Sequence, residues 1–312
     1  MEHGSRQLES IRTGGAAERY NDHKHRRGAT ASSMHTSTID EHKNEGKIKL
    51  RFLGVKLVYW NPRRSVRVGS IGLRLPFLPR VNNFGDMLAP IIVPAVHDRR
   101  RPVRARSGAG RLLSVGSILH FAEDGDVVWG TGVNGKVPVD QITARSLRVC
   151  SVRGPRTAEV LSAIGIETPS VFADPGLLLP SLLGVAKNPG PVHEITSIPN
   201  LNDRSKWVKM PGVIDPRADP LTVLQRIADS RFVVSSSLHG LVLADALGVP
   251  CSWMSSANEP AFKYLDYFEG TNRYGLRPVN SISKALESPL PAPKWDSRAL
   301  IEAFPIDLWG SP

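Results

Sequence analysis

The stretch Arg231–Pro250 constrains the fold of this chain more than any other part of its sequence. An apolar run, Phe232–Val234, is typical of a buried strand. Three serines, Ser235–Ser237, follow it. From Leu238 the apolar residues recur at helical spacing, and Gly248 stands where a helix usually ends. A strand, a hydroxyl-rich turn and a helix in direct succession predict an α/β fold.

The start of this predicted helix has the chemistry of an anion site. The hydroxyls of Ser235, Ser236 and Ser237 can accept hydrogen bonds from free backbone N–H groups, and the positive end of the helix dipole attracts negative charge. His239 adds an imidazole to the first turn. The alternative interpretation is that the serines only cap the helix and that His239 packs in the core. Three consecutive hydroxyls exceed what one cap needs, which favours a site.

The same helix carries a carboxylate on its apolar face. Asp245 falls on the side of Leu238 and Leu241. A buried carboxylate needs a partner. We therefore predict that Asp245 pairs with a basic side chain and supports the fold.

Length and composition describe a chain with room for a large core. Its 312 residues, 41% of them hydrophobic, suit two α/β domains or one large one. No apolar run approaches the ~18–20 residues that span a bilayer. Cys150 and Cys251 are too few for a disulfide framework and fall in apolar runs, so we expect two packed thiols in a reducing compartment.

The first segment, residues 1–46, differs in composition from the rest. It is polar and without periodicity, and we predict that it is disordered. It contains no apolar stretch of the kind found in secretory leaders, so we expect a cytoplasmic protein. A Pro- and Gly-rich stretch, Pro180–Pro191, marks a further boundary. The predicted domains are therefore residues 47–180 and 181–312.

The chain is basic, with a formal charge of +11 from 40 Lys and Arg against 29 Asp and Glu. The excess is clustered in two places: Arg63, Arg64 and Arg67, and then Arg99, Arg100, Arg101, Arg104, Arg106 and Arg111. No aromatic residues interleave with these arginines, so we expect no nucleic acid partner. The alternatives are attraction to an anionic substrate, peripheral contact with the anionic inner face of a membrane, and a solvated basic loop without a partner.

A glycine motif follows the apolar run Val127–Trp129. The segment Gly130–Gly135 has the spacing GxGxxG, which after a strand can bind a dinucleotide. Here Pro138 interrupts any following helix, and the next predicted strand ends in Arg153 rather than in an acidic residue. Dinucleotide binding is therefore rejected, while a sheet edge lined by Gly130 and Gly132 and facing a ligand is retained.

Two further turns carry candidate binding residues. Arg153 and Arg156 flank Pro155, which suits the first position of a helix, and guanidinium groups at the carboxyl end of a strand match phosphate or carboxylate. Gly85 and Asp86 precede an apolar helix, which Asp86 is predicted to cap.

The remaining elements are predicted from periodicity. The segments Ile48–Trp60, Leu112–Leu119, Leu147–Val152, Ile195–Ile198, Trp207–Met210 and Val249–Met254 are predicted strands; helices are predicted from Asp219-Pro220, over Glu259–Phe268 and near Ser297–Phe304.

Six segments together resemble the polysaccharide pyruvyl transferase family, in the family's order. They are Asn83–Pro90 (NFGDMLAP), Val128–Gly132 (VWGTG), Val152–Thr157 (VRGPRT), Ala173–Pro180 (ADPGLLLP), Asp219–Ser230 (DPLTVLQRIADS) and Ser235–Pro250 (SSSLHGLVLADALGVP). The branch they resemble acts on bacterial exopolysaccharides. The resemblance implies two Rossmann-like domains in a glycosyltransferase-B-like arrangement, with a cleft between them.

The resemblance also implies an activity: transfer of a pyruvyl group from phosphoenolpyruvate to a sugar of an exopolysaccharide or of its lipid-linked precursor, forming a ketal. It makes His239 the catalytic or donor-contacting histidine and Arg153 a ligand of the donor's phosphate or carboxylate. The other residues assigned to the substrate site are Arg156, Ser235, Ser236, Ser237, Leu238, Gly85, Asp86, Gly130 and Gly132. No metal site and no cofactor are expected.

Two alternatives stay open. One is a glycosyltransferase with a nucleotide-sugar donor on the same architecture, although no acidic residue is placed for the ribose. The other is a non-catalytic anion- or glycan-binding relative. It is motivated by Asn200, where this branch often has histidine, and by Ser237, where some members have arginine.

Overall fold

The described strands form a six-stranded sheet, a three-stranded sheet and a two-stranded ribbon. The computed structural model describes residues 39–41, 47–64, 66–68, 71–73, 77–100 and 109–310. The strands are β1 (Ile39–Glu41), β2 (Lys47–Phe52), β3 (Val55–Trp60), β4 (Val66–Val68), β5 (Ile71–Leu73), β6 (Arg111–Leu113), β7 (Val127–Trp129), β8 (Arg148–Ser151), β9 (His193–Ile198), β10 (Ser230–Ser235) and β11 (Cys251–Trp253).

Helices connect these strands and cover the sheets. They are α1 (Ala89–Arg100), α2 (Pro155–Ala163), α3 (Leu179–Leu183), α4 (Pro220–Ala228), α5 (Leu238–Leu247), α6 (Phe262–Gly270), α7 (Ile282–Glu287) and α8 (Ser297–Glu302), with 3-10 turns at Leu119–Phe121, Val139–Gln141, Pro175–Leu178, Arg204–Lys206 and Ile306–Trp309. In the part of the chain that the structure describes, no helix combines the length and the apolar character needed to cross a bilayer.

Both large sheets have parallel strands. In the six-stranded sheet the order is β1-β2-β3-β6-β7-β8, with β1, β2 and β3 antiparallel and β3, β6, β7 and β8 parallel. The three-stranded sheet has the order β11-β10-β9 and is entirely parallel. Parallel strands end at the same edge of a sheet, so each sheet gathers the residues that follow its strands at one edge.

The unit Arg231–Pro250 folds as its sequence predicts. β10 leads through Ser236 and Ser237 into α5, and Gly248 closes the helix in a left-handed conformation with φ of 64°. Nearly all residues of α5 are buried, as expected of a helix that is apolar on every side. The α/β class is thereby confirmed.

One core cluster spans both halves of the sequence. It joins Leu57 and Trp129 of the six-stranded sheet to Val233 and Trp253 of the three-stranded sheet. The indole N–H of Trp129 also donates to the carbonyl of Leu300 in α8, at 2.9 Å. The glycosyltransferase-B-like pair of domains and the boundary at residue 180 stay predictions.

The helix signals hold at most positions. Asp219 caps α4 and accepts from the backbone N–H groups of Leu221 and Thr222, and Pro155 is the first residue of α2. The helix Ile282–Glu287 has no counterpart in the predictions.

Two predicted strands are corrected. Leu112–Leu119 continues as strand only to Leu113, because Gly116 turns the chain with φ of 100°. Trp207–Met210 forms a turn, and the buried side chain of Trp207 belongs to a core cluster that also contains Val234. A short apolar run can thus be buried without forming a strand.

Several predictions concern residues that the structure does not describe. The proposed disordered segment 1–46 lies outside the described residues except for β1, as do Arg101, Arg104 and Arg106 of the basic cluster. Both cysteines are described, are free and lie in strands β8 and β11. Burial raises the pKa of each thiol, which suits packed rather than reactive side chains.

Asp245 has the basic partner that its sequence position predicts. Arg273 Nη2 lies 2.7 Å from Asp245 Oδ2, the hydroxyl of Tyr267 donates to the same oxygen at 2.7 Å, and both charged side chains are buried. This ion pair ties α5 to the segment after α6.

We expect Arg273→Met to lower the free energy of unfolding by about 3–5 kcal/mol, because it leaves the Asp245 carboxylate buried without its counterion. Urea denaturation measures the effect. The matched control is Arg231→Met, which removes a surface pair with Glu194 and should cost under about 1 kcal/mol. Equal costs for the two variants would contradict the assignment.

Candidate functional site

A cavity of about 250 Å³ lies where the carboxyl ends of both sheets come together. Trp60 ends β3, and Ser117 and Asn134 follow β6 and β7 on one side; Asn200 and Ser237 follow β9 and β10 on the other. The remaining lining residues are Asn83, Asp86, Ile118, His120, Lys136, Leu201, Asn202, Leu238, His239, Glu259 and Lys263. This is the edge at which open α/β sheets bind ligands.

His239 lies in this cavity as the second residue of α5, with a side chain that is largely buried. Its Nδ1 edge packs against Gly85. A Cβ atom added at Gly85 would lie 2.2 Å from Nδ1, so any larger residue there would displace the imidazole. Gly85 therefore contributes by making room for the ring.

The other edge of the imidazole faces a buried carboxylate. His239 Nε2 lies 3.6 Å from Asp174 Oδ2, slightly beyond hydrogen-bond length. Both atoms are buried, and neither has a hydrogen-bond partner among the described residues. Asp174 is held in place because its Oδ1 accepts from the N–H of Gly176 at 2.8 Å. The arrangement fits a carboxylate that sets the orientation of the imidazole.

Two lysines of the cavity lining share one carboxylate. Glu259 Oε1 lies 2.5 Å from Lys136 Nζ, and Glu259 Oε2 lies 2.7 Å from Lys263 Nζ. Burial acts to raise the pKa of Glu259, but the lysines outweigh it and the pKa is lowered. Burial lowers the pKa of Lys263, against the pull of Glu259. The group carries more positive than negative charge, which suits an anionic ligand.

The pKa of Asp86 is shifted in the opposite direction to that of Glu259. Asp86 lies in a turn before α1 and accepts from Asn83 Nδ2 at 2.6 Å. Removal from water raises its pKa; Asn83, His239 and Lys263 act in the other direction without cancelling the shift. The prediction that Asp86 caps the helix is corrected: α1 begins only at Ala89, and the Asp86 side chain faces the cavity.

The three predicted serines have different positions. Ser235 is structural, since its hydroxyl is 2.9 Å from the carbonyl of Ile198 and accepts from the N–H of Ser237 at 3.0 Å. Ser236 accepts from the N–H of Asn200 at 2.9 Å. Ser237 and Leu238 alone of Ser235–Leu238 line the cavity.

Arg153 lies behind the cavity wall rather than on it. Its side chain is fully buried, with Nε and Nη2 at 3.0 and 2.9 Å from Asp266 Oδ2, and Nη2 donates to the carbonyl of Val133 at 2.7 Å. Nη1 donates to the hydroxyl of Ser117 at 2.6 Å, and Ser117 does line the cavity. Arg153 therefore reaches the cavity lining through Ser117, and its predicted contact with a ligand stays a prediction.

Arg156 and the glycine segment also differ from expectation. Arg156 forms a two-point ion pair with Glu269 at 2.8 and 2.6 Å and does not line the cavity. Gly130 packs against Pro175, and a Cβ atom added at Gly130 would lie 2.3 Å from that ring. Gly132 packs against the Arg153 guanidinium, where an added Cβ would lie 2.5 Å away. These glycines allow close packing instead of contacting a ligand.

Several residues of the cavity are not among the predicted site residues. Ser117 and Lys136 lie in irregular segments after strands β6 and β7, and His120 lies in the 3-10 turn Leu119–Phe121. Glu259 and Lys263 had a usable signal, because the sequence predicts a helix over Glu259–Phe268, on which opposite charges four residues apart face each other. The helix itself is corrected: α6 begins only at Phe262, and Glu259 reaches Lys263 from the segment before it. Their partnership with Lys136 is not local and has no such signal.

Comparisons with known proteins point to one family. The family model for polysaccharide pyruvyl transferase matches residues 108–258. An uncharacterised protein of Acanthamoeba polyphaga mimivirus is 29% identical over 168 residues, 49% of this chain and 57% of the relative. The succinoglycan biosynthesis protein ExoV of Rhizobium meliloti is 27% identical over 193 residues, 56% of this chain and 59% of the relative. The chain thus matches a little over half the length of these relatives.

We expect Asp86→Asn to raise the melting temperature at pH 8. A raised pKa means that the fold favours the protonated carboxyl of Asp86. The contribution of Asp86 to stability is therefore fully present below about pH 3.8, the ordinary pKa of an aspartate, and is lost as the pH rises through its pKa in the folded protein. Calorimetry across pH 4–8 should show the gain shrinking as the pH falls. The control, Glu167→Gln, changes an exposed carboxylate. A lower melting temperature for Asp86→Asn at pH 8 would contradict the shift.

Proposed function

We propose that this chain transfers a pyruvyl group from phosphoenolpyruvate to a sugar, because its residues 108–258 match the family model for polysaccharide pyruvyl transferase. The acceptor is a residue of an exopolysaccharide or of its lipid-linked precursor, and the product is a pyruvate ketal. The observation that carries the proposal is the cavity that joins His239, Asp86 and the Lys136–Glu259–Lys263 group at the carboxyl ends of both sheets.

The donor is small and carries a phosphate and a carboxylate. Lys136 and Lys263 supply positive charge on one wall. Ser237 and the N-terminus of α5 supply a hydroxyl and free N–H groups on the other. Arg153 acts indirectly by holding the Ser117 hydroxyl in the wall between them. Fixed donors of this kind stabilise the charge that develops in the transition state.

The reaction needs one proton donor and one proton acceptor. Protonation of the methylene carbon of phosphoenolpyruvate leaves positive charge on the adjacent carbon, to which a sugar hydroxyl adds as it loses its proton. The bond from that carbon to the phosphate oxygen then breaks, with the bonding electrons staying on the phosphate. A second hydroxyl adds to the carbon, and the proton that this hydroxyl loses leaves on the released phosphate. Net, one sugar diol and one donor give one ketal and one phosphate.

We assign these proton transfers to two side chains of the cavity. Asp86 has a raised pKa and so keeps its proton to higher pH than an ordinary aspartate, which suits the acid. His239 takes the proton from the attacking hydroxyl on Nδ1, the ring nitrogen that does not face Asp174, while Asp174, 3.6 Å from Nε2, lies against the other edge of the ring.

The site of the reaction in the cell is part of the same proposal. We place the chain in the cytoplasm, at the inner face of the membrane where a lipid-linked acceptor is present. Arg99 and Arg100 at the end of α1 and Arg64 are exposed, which supports contact with an anionic surface.

The experiment that tests the function is incubation with phosphoenolpyruvate and a panel of unpyruvylated exopolysaccharide oligosaccharides. The panel includes succinoglycan repeat units, because one relative is a succinoglycan biosynthesis protein. Mass spectrometry should show addition of pyruvate with loss of water, together with released phosphate. Thermal stabilisation by nucleotide sugars but not by phosphoenolpyruvate would instead favour a glycosyltransferase.

We expect His239→Ala to lower turnover by ~10²-fold or more, because it removes the proton acceptor. Phosphate release under saturating substrate measures the change. The matched control is His193→Ala, which removes a histidine from β9 outside the cavity and should leave turnover unchanged. If His239→Ala kept full turnover, His239 would not be the proton acceptor.

We expect Lys136→Gln to raise the KM for phosphoenolpyruvate about 10-fold or more, since it replaces a charge-assisted hydrogen bond to the donor. The KM for the oligosaccharide should change little. Lys187→Gln, on the surface away from the cavity, is the control. A change confined to the oligosaccharide KM would place Lys136 at the acceptor.

A further inference from the structure

A second cavity of about 310 Å³ adjoins the first. Its lining residues are Trp60, His120, Phe121, Val137 and Gln141. Trp60 and His120 line the first cavity as well, so the two spaces share one wall. The volume lies at the lower end of the roughly 300–1,000 Å³ typical of small-molecule sites.

The two cavities differ in charge. The first is lined by two lysines, Lys136 and Lys263, and by two carboxyl side chains, Asp86 and Glu259. The five residues of the second include no Asp, Glu, Lys or Arg, and they offer aromatic rings, an imidazole and the amide of Gln141. The first suits a small anion. The second suits a neutral molecule with hydroxyl groups and an apolar face.

The walls of the second cavity are fixed by the fold. His120 and Phe121 lie in the 3-10 turn that follows β6, with their ring centroids 4.1 Å apart. The carbonyl of Phe121 accepts from Lys47 Nζ at 3.0 Å and from Arg111 Nη2 at 3.1 Å. Gln141 ends the 3-10 turn Val139–Gln141, and its side chain is exposed.

We propose that the second cavity binds the acceptor glycan, holding the neutral pyranose next to the one that receives the ketal. This inference rests on the proposed function. The C–H face of the ring packs on Trp60, while Gln141 and His120 hydrogen-bond its hydroxyls. Because the cavities share Trp60 and His120, a sugar held in the second places its neighbour at the donor in the first.

A blocking variant tests this assignment. Val137→Phe fills the second cavity and leaves the lining of the first unchanged. The matched control is Val139→Phe, two residues away and outside the lining of either cavity. We expect Val137→Phe to raise the KM for the oligosaccharide at least about 10-fold, with the KM for phosphoenolpyruvate unchanged. Val139→Phe should match the wild type in both constants.

A second variant covers the case in which the added ring disturbs folding. Gln141→Ala removes only the exposed amide, and it should lower the affinity for the acceptor glycan several-fold. Calorimetric titration of the wild type and both variants with the oligosaccharide panel measures binding without turnover. Loss of glycan binding in Gln141→Ala or in a folded Val137→Phe supports the subsite.

The outcomes separate the two proposals. Pyruvyl transfer by the wild type, with an acceptor KM unaltered in Gln141→Ala and in folded Val137→Phe, overturns the subsite and leaves the function standing. Glycan binding that these variants abolish, without any pyruvyl transfer by the wild type, overturns the function and leaves the glycan site standing. A rise in the phosphoenolpyruvate KM alone in Val137→Phe would overturn the assignment to the acceptor.

Discussion

The ion pair between Arg153 and Asp266 joins the two walls of the cavity. Arg153 follows β8 and holds Ser117, while Asp266 stands one turn from Lys263 on α6 and also accepts from the N–H and hydroxyl of Thr157 at 2.9 and 2.8 Å. Both charges are fully buried, so each depends on the other to offset the loss of water. The contact therefore helps to set the relative position of Ser117 and Lys263, together with the Arg156–Glu269 pair between α2 and α6.

The charges inside the cavity are arranged by the same principle of shared counterions. Glu259 keeps Lys136 and Lys263 close together, where two free ammonium groups would repel each other. Asp86, whose raised pKa limits its negative charge, does not oppose an anionic ligand as an ordinary aspartate would. Asp174 is placed behind His239, on the side away from the cavity. A polyanion can thus enter a site that is stable when empty.

Local sequence signals predicted local structure well and distant contacts poorly. The strand, turn and helix of Arg231–Pro250 follow from periodicity and Gly248, and the partner of Asp245 follows from the cost of a buried charge. The sequence predicts that Arg153 contacts an anionic ligand, because Arg153 lies between the end of a strand and the start of a helix. Its partner Asp266 lies 113 residues away, and nothing in the neighbourhood of Arg153 predicts it. The same holds for Lys136 and Glu259, which are 123 residues apart.

The cavity draws its lining from Trp60 to Lys263, a wider range than the segment 108–258 that the family model matches. Asp86 lies before that segment, and Glu259 and Lys263 lie just after it. A recombinant fragment trimmed to the matched region would keep His239 and lose Asp86, Glu259 and Lys263. Before an activity is assigned to a shorter homologue, its sequence should therefore be checked for counterparts of Asp86, Glu259 and Lys263.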